Sequence, residues 1–367
     1  MIVGGGILGT MHAWEARRRG IDVVHLDGDV EPRGATVRNF GLIWVSGRAP
    51  GEELEAAVRA RELWQLIGSR ADVGFRPDGS LTVVHNQAEL AVLEEVVGRH
   101  DAARRGVSLL DPSEARSLNP ALRGNFTAAL HSTADAVLEP GRALAAIRMV
   151  MEGDGYAWLP STTAVEVDSG LIIDHRGSEH RGDHVIVCPG ARNDGMVATL
   201  VAGEPLRRVQ LQMLQTAPLG ERLTTSLADG NSLRYYPAFE VPARAKLPPP
   251  EPLVAELSVQ LLVSQRAGGE LTVGDTHRYE EPFDFAVDER PYTYLLARLE
   301  DLLGRRLPPV VRRWTGVYSQ TTDARLCHRR EARPGITLVT GPGGRGMTLA
   351  PALAEQTWNE LLPEDGR

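Results

Sequence analysis

Met1-Ile2-Val3-Gly4-Gly5-Gly6-Ile7-Leu8-Gly9 opens the chain, and this stretch decides the fold. Ile2-Val3 reads as the end of an apolar strand, and the first strand is expected to begin a few residues upstream of Met1. Thr10 to Arg19 reads as a helix with Arg17, Arg18 and Arg19 in its last turn and Gly20 as its stop. Ile21 to Leu26 is a second strand, ending at Asp27-Gly28. Strand, glycine turn, helix, strand and acid make a βαβ unit, and Gly4-x-Gly6-x-x-Gly9 with Asp27 is a dinucleotide-binding fingerprint in its proper context. Gly4 permits the tight turn, Gly6 lets the backbone approach a pyrophosphate, and Gly9 lets the helix pack close to the strand. The helix N-terminus offers N–H groups to the phosphates, and Asp27 accepts from a ribose hydroxyl.

Outward from this unit, helices are expected over 52–67, 88–106, 142–151, 292–303 and about 348–361. Phe75 to Val84, with Pro77-Asp78-Gly79 inside it, reads as a hairpin. Short strands are expected at 156–160, 164–167, 170–175 and 184–188, and again at 211–216, 233–236, 253–263, 271–273, 312–318 and 336–340. The proline-rich stretch 241–252 reads as an exposed loop. A second glycine cluster, Gly341 to Gly346, precedes the last helix, with Thr348 expected as its N-cap. A helix aimed this way stabilises negative charge on a reduced flavin, which favours FAD over NAD.

The 367 residues suggest two domains and need no staples. A formal charge of −8 argues against nucleic acid and anionic membranes as partners. Lys246 is the only lysine, so 39 of the 40 basic residues are arginine. It lies in Ala243-Arg244-Ala245-Lys246-Leu247-Pro248, unsuited to a P-loop or a pyridoxal Schiff base, and both chemistries are excluded. Cys188 and Cys327 form no CxxC, and no long apolar run or signal-like start is present, so a cytoplasmic protein is expected. His175, His180 and His184 lie in a polar turn without a cysteine partner, and no metal is expected there.

Taken together, several segments resemble the D-amino acid oxidase, glycine oxidase and sarcosine oxidase superfamily. They are Ile2–Gly9, Gly34-Ala35-Thr36-Val37-Arg38-Asn39-Phe40-Gly41-Leu42-Ile43, Val185 to Ala191, Trp314-Thr315-Gly316 and Gly343-Gly344-Arg345-Gly346-Met347. The similarity covers nearly the whole chain. Val37 to Trp44 also resembles a narrower clade, the FAD-dependent oxidoreductases associated with aminophosphonate catabolism.

The resemblance implies an α/β fold: a Rossmann-like FAD-binding domain of the glutathione-reductase type, with an inserted, mainly antiparallel β-sheet plus helix substrate domain. The expected boundaries are 1–75, 135–208 and 305–367 for the first, and 76–134 and 209–304 for the second. It implies that Gly4, Gly6, Ile7, Gly9, Asp27 and Gly28 hold the pyrophosphate and ribose of a non-covalent FAD. Thr36, Asn39, Phe40 and Leu42 would line the path to the isoalloxazine, Val165 would meet the adenine through its backbone, Gly190 would flank the cofactor, and Gly344, Gly346 and Met347 would surround the ring.

Family members oxidise an amine by hydride transfer to flavin N5, and the imine then hydrolyses. The lysine that assists oxygen in the sarcosine oxidase branch is missing, so Arg345, Arg38 and His12 are the candidates for that charge. Tyr318 stands where the D-amino acid oxidase branch has its carboxylate-binding arginine. Further substrate candidates are Gln212, Arg234, Tyr235, Tyr236, His277 and Trp314, with Tyr235 and Tyr236 expected on opposite faces of a strand. The expected function is FAD-dependent oxidation of a small anionic amine, with oxygen or another acceptor closing the cycle. The alternatives are oxidation of a 2-hydroxy acid or alcohol, and a non-catalytic FAD-binding subunit.

Overall fold

Ile2–Val3 sits inside a six-stranded sheet, parallel to Val23–Leu26 on one side and to Val185–Val187 on the other. The computed structural model describes residues 1–153 and 155–363. The sheet runs His328–Arg333, Ile336–Thr340, Val185–Val187, Ile2–Val3, Val23–Leu26, Tyr156–Leu159, parallel throughout except for the hairpin of its first two strands. Its strands come from both ends and the middle of the chain. The central strands are apolar and covered on both faces, as a parallel sheet requires.

Ile7–Arg18 is buried from Ile7 to Ala16, because other helices enclose it. Gly346–Leu361 packs along it, with Trp358 Nε1 donating to the His12 carbonyl at 2.9 Å. Glu52–Gly68 packs behind, and Trp64 Nε1 donates to the Met347 carbonyl at 3.0 Å. The opposite face carries an antiparallel trio, Ala164–Asp168, Leu171–Asp174 and Glu179–Arg181. The first and last helices of the chain thus share one core.

The second sheet has eight strands in the order Val310–Thr321, Leu206–Pro218, Glu270–Gly274, Leu262–Gln265, Ser226–Asp229, Ser80–Val84, Ala128–Ser132, Val107–Leu110. All neighbours are antiparallel except Ser226–Asp229 beside Ser80–Val84. Alternation sorts its side chains. Leu214, Leu271, Val273, Leu81 and Val83 bury against Glu289–Leu303, whereas Val209, Leu211, Met213, Leu262 and Tyr318 face Phe40, Leu42 and Trp44. Val310–Thr321, inside the 305–367 stretch expected for the cofactor domain, is one of the two edge strands of this sheet. Among the described residues, no helix is long and apolar enough to cross a membrane.

Several local expectations are corrected. Phe75 to Val84 is not a hairpin: Arg76 bridges to Val137, and Ser80–Val84 pairs with distant strands. The helix expected over 88–106 stops at Val97. Residues 233–236 are not a strand, because Ser232–Tyr235 is a short helix. The expected strand 253–263 begins with the helix Pro252–Leu257, for which Pro252 supplies a preset first-turn φ. Thr348 is not an N-cap: the last helix already starts at Gly346, after the 3₁₀ turn Gly343–Arg345.

Candidate active site

A cavity of about 1190 Å³ runs from the fingerprint loop to the inner face of the eight-stranded sheet. At its first end the glycines are fixed by geometry. Gly4 has φ +110°, and a Cβ there would lie 2.2 Å from the Cys188 carbonyl oxygen; a Cβ on Gly9 would lie 1.8 Å from the Gly4 carbonyl oxygen. Gly6 has no side chain to cap the helix, so the first-turn backbone opens on the cavity. The Asp27 carboxylate closes this end, accepting from Gly5 N at 2.5 Å and Asp29 N at 2.8 Å.

Thr36 accepts from Ile7 N at 3.0 Å, tying the small-residue segment to the fingerprint helix. Asn39 folds that segment: its amide donates to the Ala35 and Thr36 carbonyls and its oxygen accepts from Gly41 N at 2.6 Å. The substrate sheet then clamps it, with Arg266 donating to the Asn39 carbonyl at 2.7 Å and the Phe40 carbonyl at 3.0 Å. Burial pulls Arg266 down to about 10. Thr348 Oγ1 accepts from Trp44 N at 2.9 Å, so it anchors the chain just past the short strand Leu42–Ile43.

Gly4, Gly6, Ile7, Gly9, Asp27, Gly28, Thr36, Asn39, Phe40, Leu42, Gly190, Gly344, Gly346 and Met347 all line this cavity. Val165 does not. Its side chain is 50% exposed, and the preceding residues Thr162, Thr163 and Ala164 line the wall there.

At the far end the cavity meets Arg38, Tyr235, Tyr236, His277, Tyr318 and Arg345. Tyr235 and Tyr236 do not point to opposite faces. At the end of a short helix their rings pack edge to face, 5.2 Å apart, and both line the cavity. Four other candidates are held elsewhere. His12 is enclosed between helices, its ring nitrogens meeting the Leu8 carbonyl at 2.7 Å and the Thr357 hydroxyl at 3.0 Å. Gln212 alternates away from Leu211 and Met213 and grips the backbone of Asp288. Arg234 braces the proline-rich loop through the Pro248 carbonyl. Trp314 Nε1 donates to the Arg38 carbonyl at 3.3 Å, supporting Arg38 from behind.

Residues without a motif complete the site. Arg48, 5% exposed, lines the wall and donates to the Trp44 carbonyl at 2.7 Å. It lies 3.7 Å from Glu53 Oε1, while Arg345 donates to Glu53 Oε2 at 3.2 Å. Asp275, 7% exposed, has an Oδ1 with no partner, and burial pushes its carboxyl up to about 8. The hydroxyls of Tyr235, Tyr279 and Tyr318 face one another beside it; burial raises all three, and the neighbouring Asp275 adds to the effect. Burial pulls His277 down to about 4. Lys246 is exposed at the end of the 3₁₀ helix Pro242–Lys246, which replaces part of the expected loop, and does not line the cavity. Among the described residues no cluster of three or more His, Cys, Asp or Glu could hold a metal ion.

The glycine cradle, the acid at the second strand and the long cavity between two sheets fit FAD, and they define an FAD-dependent oxidoreductase. The chain belongs to the DAO family of FAD dependent oxidoreductases, which it matches over residues 1–357. One of the subunits of opine oxidase from Rhizobium meliloti is 26% identical over 231 residues, 59% of this chain and 62% of that protein, so the match spans less than two-thirds of the relative. Glycine oxidase from Geobacillus kaustophilus superposes with a TM-score of 0.77 at 17% identity, covering 98% of this chain and 92% of that one. Iminodiacetate oxidase from Chelativorans sp. BNC1 gives 0.76 at 20% identity, covering 98% and 94%. At these identities the structural likenesses establish the fold.

Proposed function

We propose that the protein oxidises a small anionic amine, an aminophosphonate or amino-acid-like compound, at the carbon bearing nitrogen. The observation that carries this reading is the charge balance of the cavity wall. Arg48 and Arg345 flank the carboxylate of Glu53, two guanidinium groups to one acid, and Arg38 adds a third guanidinium to this wall for a substrate anion. The names of the relatives, opine oxidase, glycine oxidase and iminodiacetate oxidase, support amine chemistry, and the segment Val37 to Trp44 supports an aminophosphonate.

Bound FAD, held without a covalent link by the residues of the cradle, supplies the acceptor for the hydride. The protein's own residues orient and enclose. Arg48, Arg345 and Arg38 hold the acid group; Tyr235, Tyr236, Tyr279 and Tyr318 wall off water. The oxidised substrate is an imine, which water converts to a carbonyl compound and an amine, and oxygen or another acceptor closes the cycle.

Anaerobic mixing of the FAD-loaded protein with aminomethylphosphonate, glycine and iminodiacetate tests the reading. Loss of the visible flavin absorbance with an amine is expected. Bleaching by 2-hydroxy acids alone would move the function to alcohol oxidation, and no bleaching by any of them would make the protein a non-catalytic FAD carrier.

A further inference from the structure

We propose that Asp275 receives the amino nitrogen of the substrate and takes a proton from it, inside a cage formed by Tyr235, Tyr236, Tyr279 and Tyr318. The inference rests on the amine-oxidation reading above and names the group that recognises the amine within that site.

Asp275 follows the strand Glu270–Gly274, whose end is fixed by pairing with Met213 and Leu262. Its main chain is held, since the carbonyl accepts from Gln260 N at 2.9 Å. Beyond its own N–H, its carboxyl has no donor: Oδ1 has no partner, and Oδ2 lies 3.8 Å from His277 Nε2, beyond hydrogen-bond reach. His277 does not neutralise it. That ring is anchored 3.3 Å from the Ser258 carbonyl, lies against Tyr235 with centroids 4.5 Å apart, and is uncharged at neutral pH. A buried carboxyl paired with no cation is costly, and Asp275 belongs to the cavity wall, where the donors of a ligand can offset that cost.

The groups facing Asp275 are His277 on its own segment, Tyr235 and Tyr236 from the short helix, Tyr279 from the following loop, and Tyr318 from the edge strand Val310–Thr321. The cations on these surroundings are Arg48, near Tyr236, and Arg207, stacked over the Tyr279 ring at 4.2 Å. Neither forms an ion pair with Asp275. Tyrosine faces attract an ammonium group, and a carboxylate among them completes an amine site. Arg48 and Arg345 line the same cavity, so its wall offers cations for the acid group of a zwitterion as well as Asp275 for its amine.

In the proposed step the N–H proton passes to the Asp275 carboxylate. The nitrogen lone pair forms the C=N bond as the neighbouring C–H bond breaks, and the hydride with its electron pair goes to FAD. The substrate is oxidised and FAD reduced by two electrons. Because burial holds the carboxyl near 8, the base form grows in as pH rises through that region.

The test uses the FAD-loaded protein and Asp275→Asn, with aminomethylphosphonate against methylphosphonate and glycine against acetate. Binding is read from the shift of the flavin spectrum, and reduction by anaerobic stopped flow. The wild type is expected to prefer each amine over its amine-free partner by about 30-fold or more, and Asp275→Asn to lose that preference. The limiting rate of reduction falls by about 10²-fold or more in Asp275→Asn, and its rise on the alkaline side disappears; Asp275→Glu keeps the rise. Should Asp275→Asn not retain FAD, Asp275→Ser gives the same comparison.

An Asp275→Asn protein that keeps the amine preference and the pH rise overturns the inference while leaving amine oxidation intact. A wild type that amines do not reduce, but whose amine preference vanishes in Asp275→Asn, keeps Asp275 as the amine site and removes the oxidation reading. Neither reduction nor preference overturns both.

Discussion

Gly6→Ala separates cofactor binding from folding. Gly6 has φ −67° and ψ −177°, a conformation open to any residue, and a Cβ there meets only Thr36 Oγ1 at 3.3 Å. The apoprotein of this variant is therefore expected to melt within about 2 °C of wild type. The added methyl stands where the start of the helix faces the cavity. Loss of two charge-assisted hydrogen bonds to a pyrophosphate, at about 1.5–3 kcal/mol each, raises the Kd for FAD by about 10²–10⁴-fold. Gly9→Ala is the contrast: its Cβ would lie 1.8 Å from the Gly4 carbonyl oxygen, so the loop itself must move. That variant should lose both FAD and thermal stability, by about 1–3 kcal/mol or more. Titration of each apoprotein with FAD, followed by flavin fluorescence, and a thermal melt of the same samples make the comparison. Wild-type FAD affinity in Gly6→Ala, or equal destabilisation of the two apoproteins, would refute the reasoning.

Two further outcomes are expected. Arg105 is fully buried, pairs with Asp101 at 2.8 Å and donates to the Ser46 and Arg48 carbonyls at 2.8 and 2.7 Å. Arg105→Ala strands these groups and should cost about 3–5 kcal/mol in urea unfolding, with weaker binding of anionic amines because Arg48 loses its support. Burial holds His12, His25 and His277 at about 4, against about 6.5 in an unfolded chain. As pH falls below 6.5 the unfolded state takes up protons that the fold refuses. Each histidine therefore removes up to about 3 kcal/mol by the time pH reaches its folded value, and contributes nothing above 6.5. A melting temperature that stays level from pH 7 to 5, or an unchanged slope in His12→Asn, contradicts this.

The cofactor half of the molecule was legible because its demands are local. Gly4 and Gly9 are required by contacts within the loop and its neighbouring strand, and Asp27 reads directly as the end of the second strand. The substrate half depends on register between distant strands, which no spacing reports. Asp275 faces the cavity because Gly274 pairs with Met213, and Gln212 misses it because Leu211 and Met213 occupy that face. Tyr235 and Tyr236 read as strand residues in sequence because a helix of one turn, Ser232–Tyr235, is too short to show a period. Arg48 carries no motif at all; only its contacts with the Trp44 carbonyl and the distant Thr348 hydroxyl hold it inward. Pro252 was a usable signal for the helix Pro252–Leu257, and the apolar run after it concealed the point.

The central claim, that FAD bound in this cavity oxidises an amine at the carbon bearing nitrogen, meets its most direct test in anaerobic stopped flow with glycine or aminomethylphosphonate deuterated at that carbon. The account predicts that the amine bleaches the flavin and that deuterium slows the bleaching. Bleaching at the same rate with either isotope, or none under saturating amine, would contradict it.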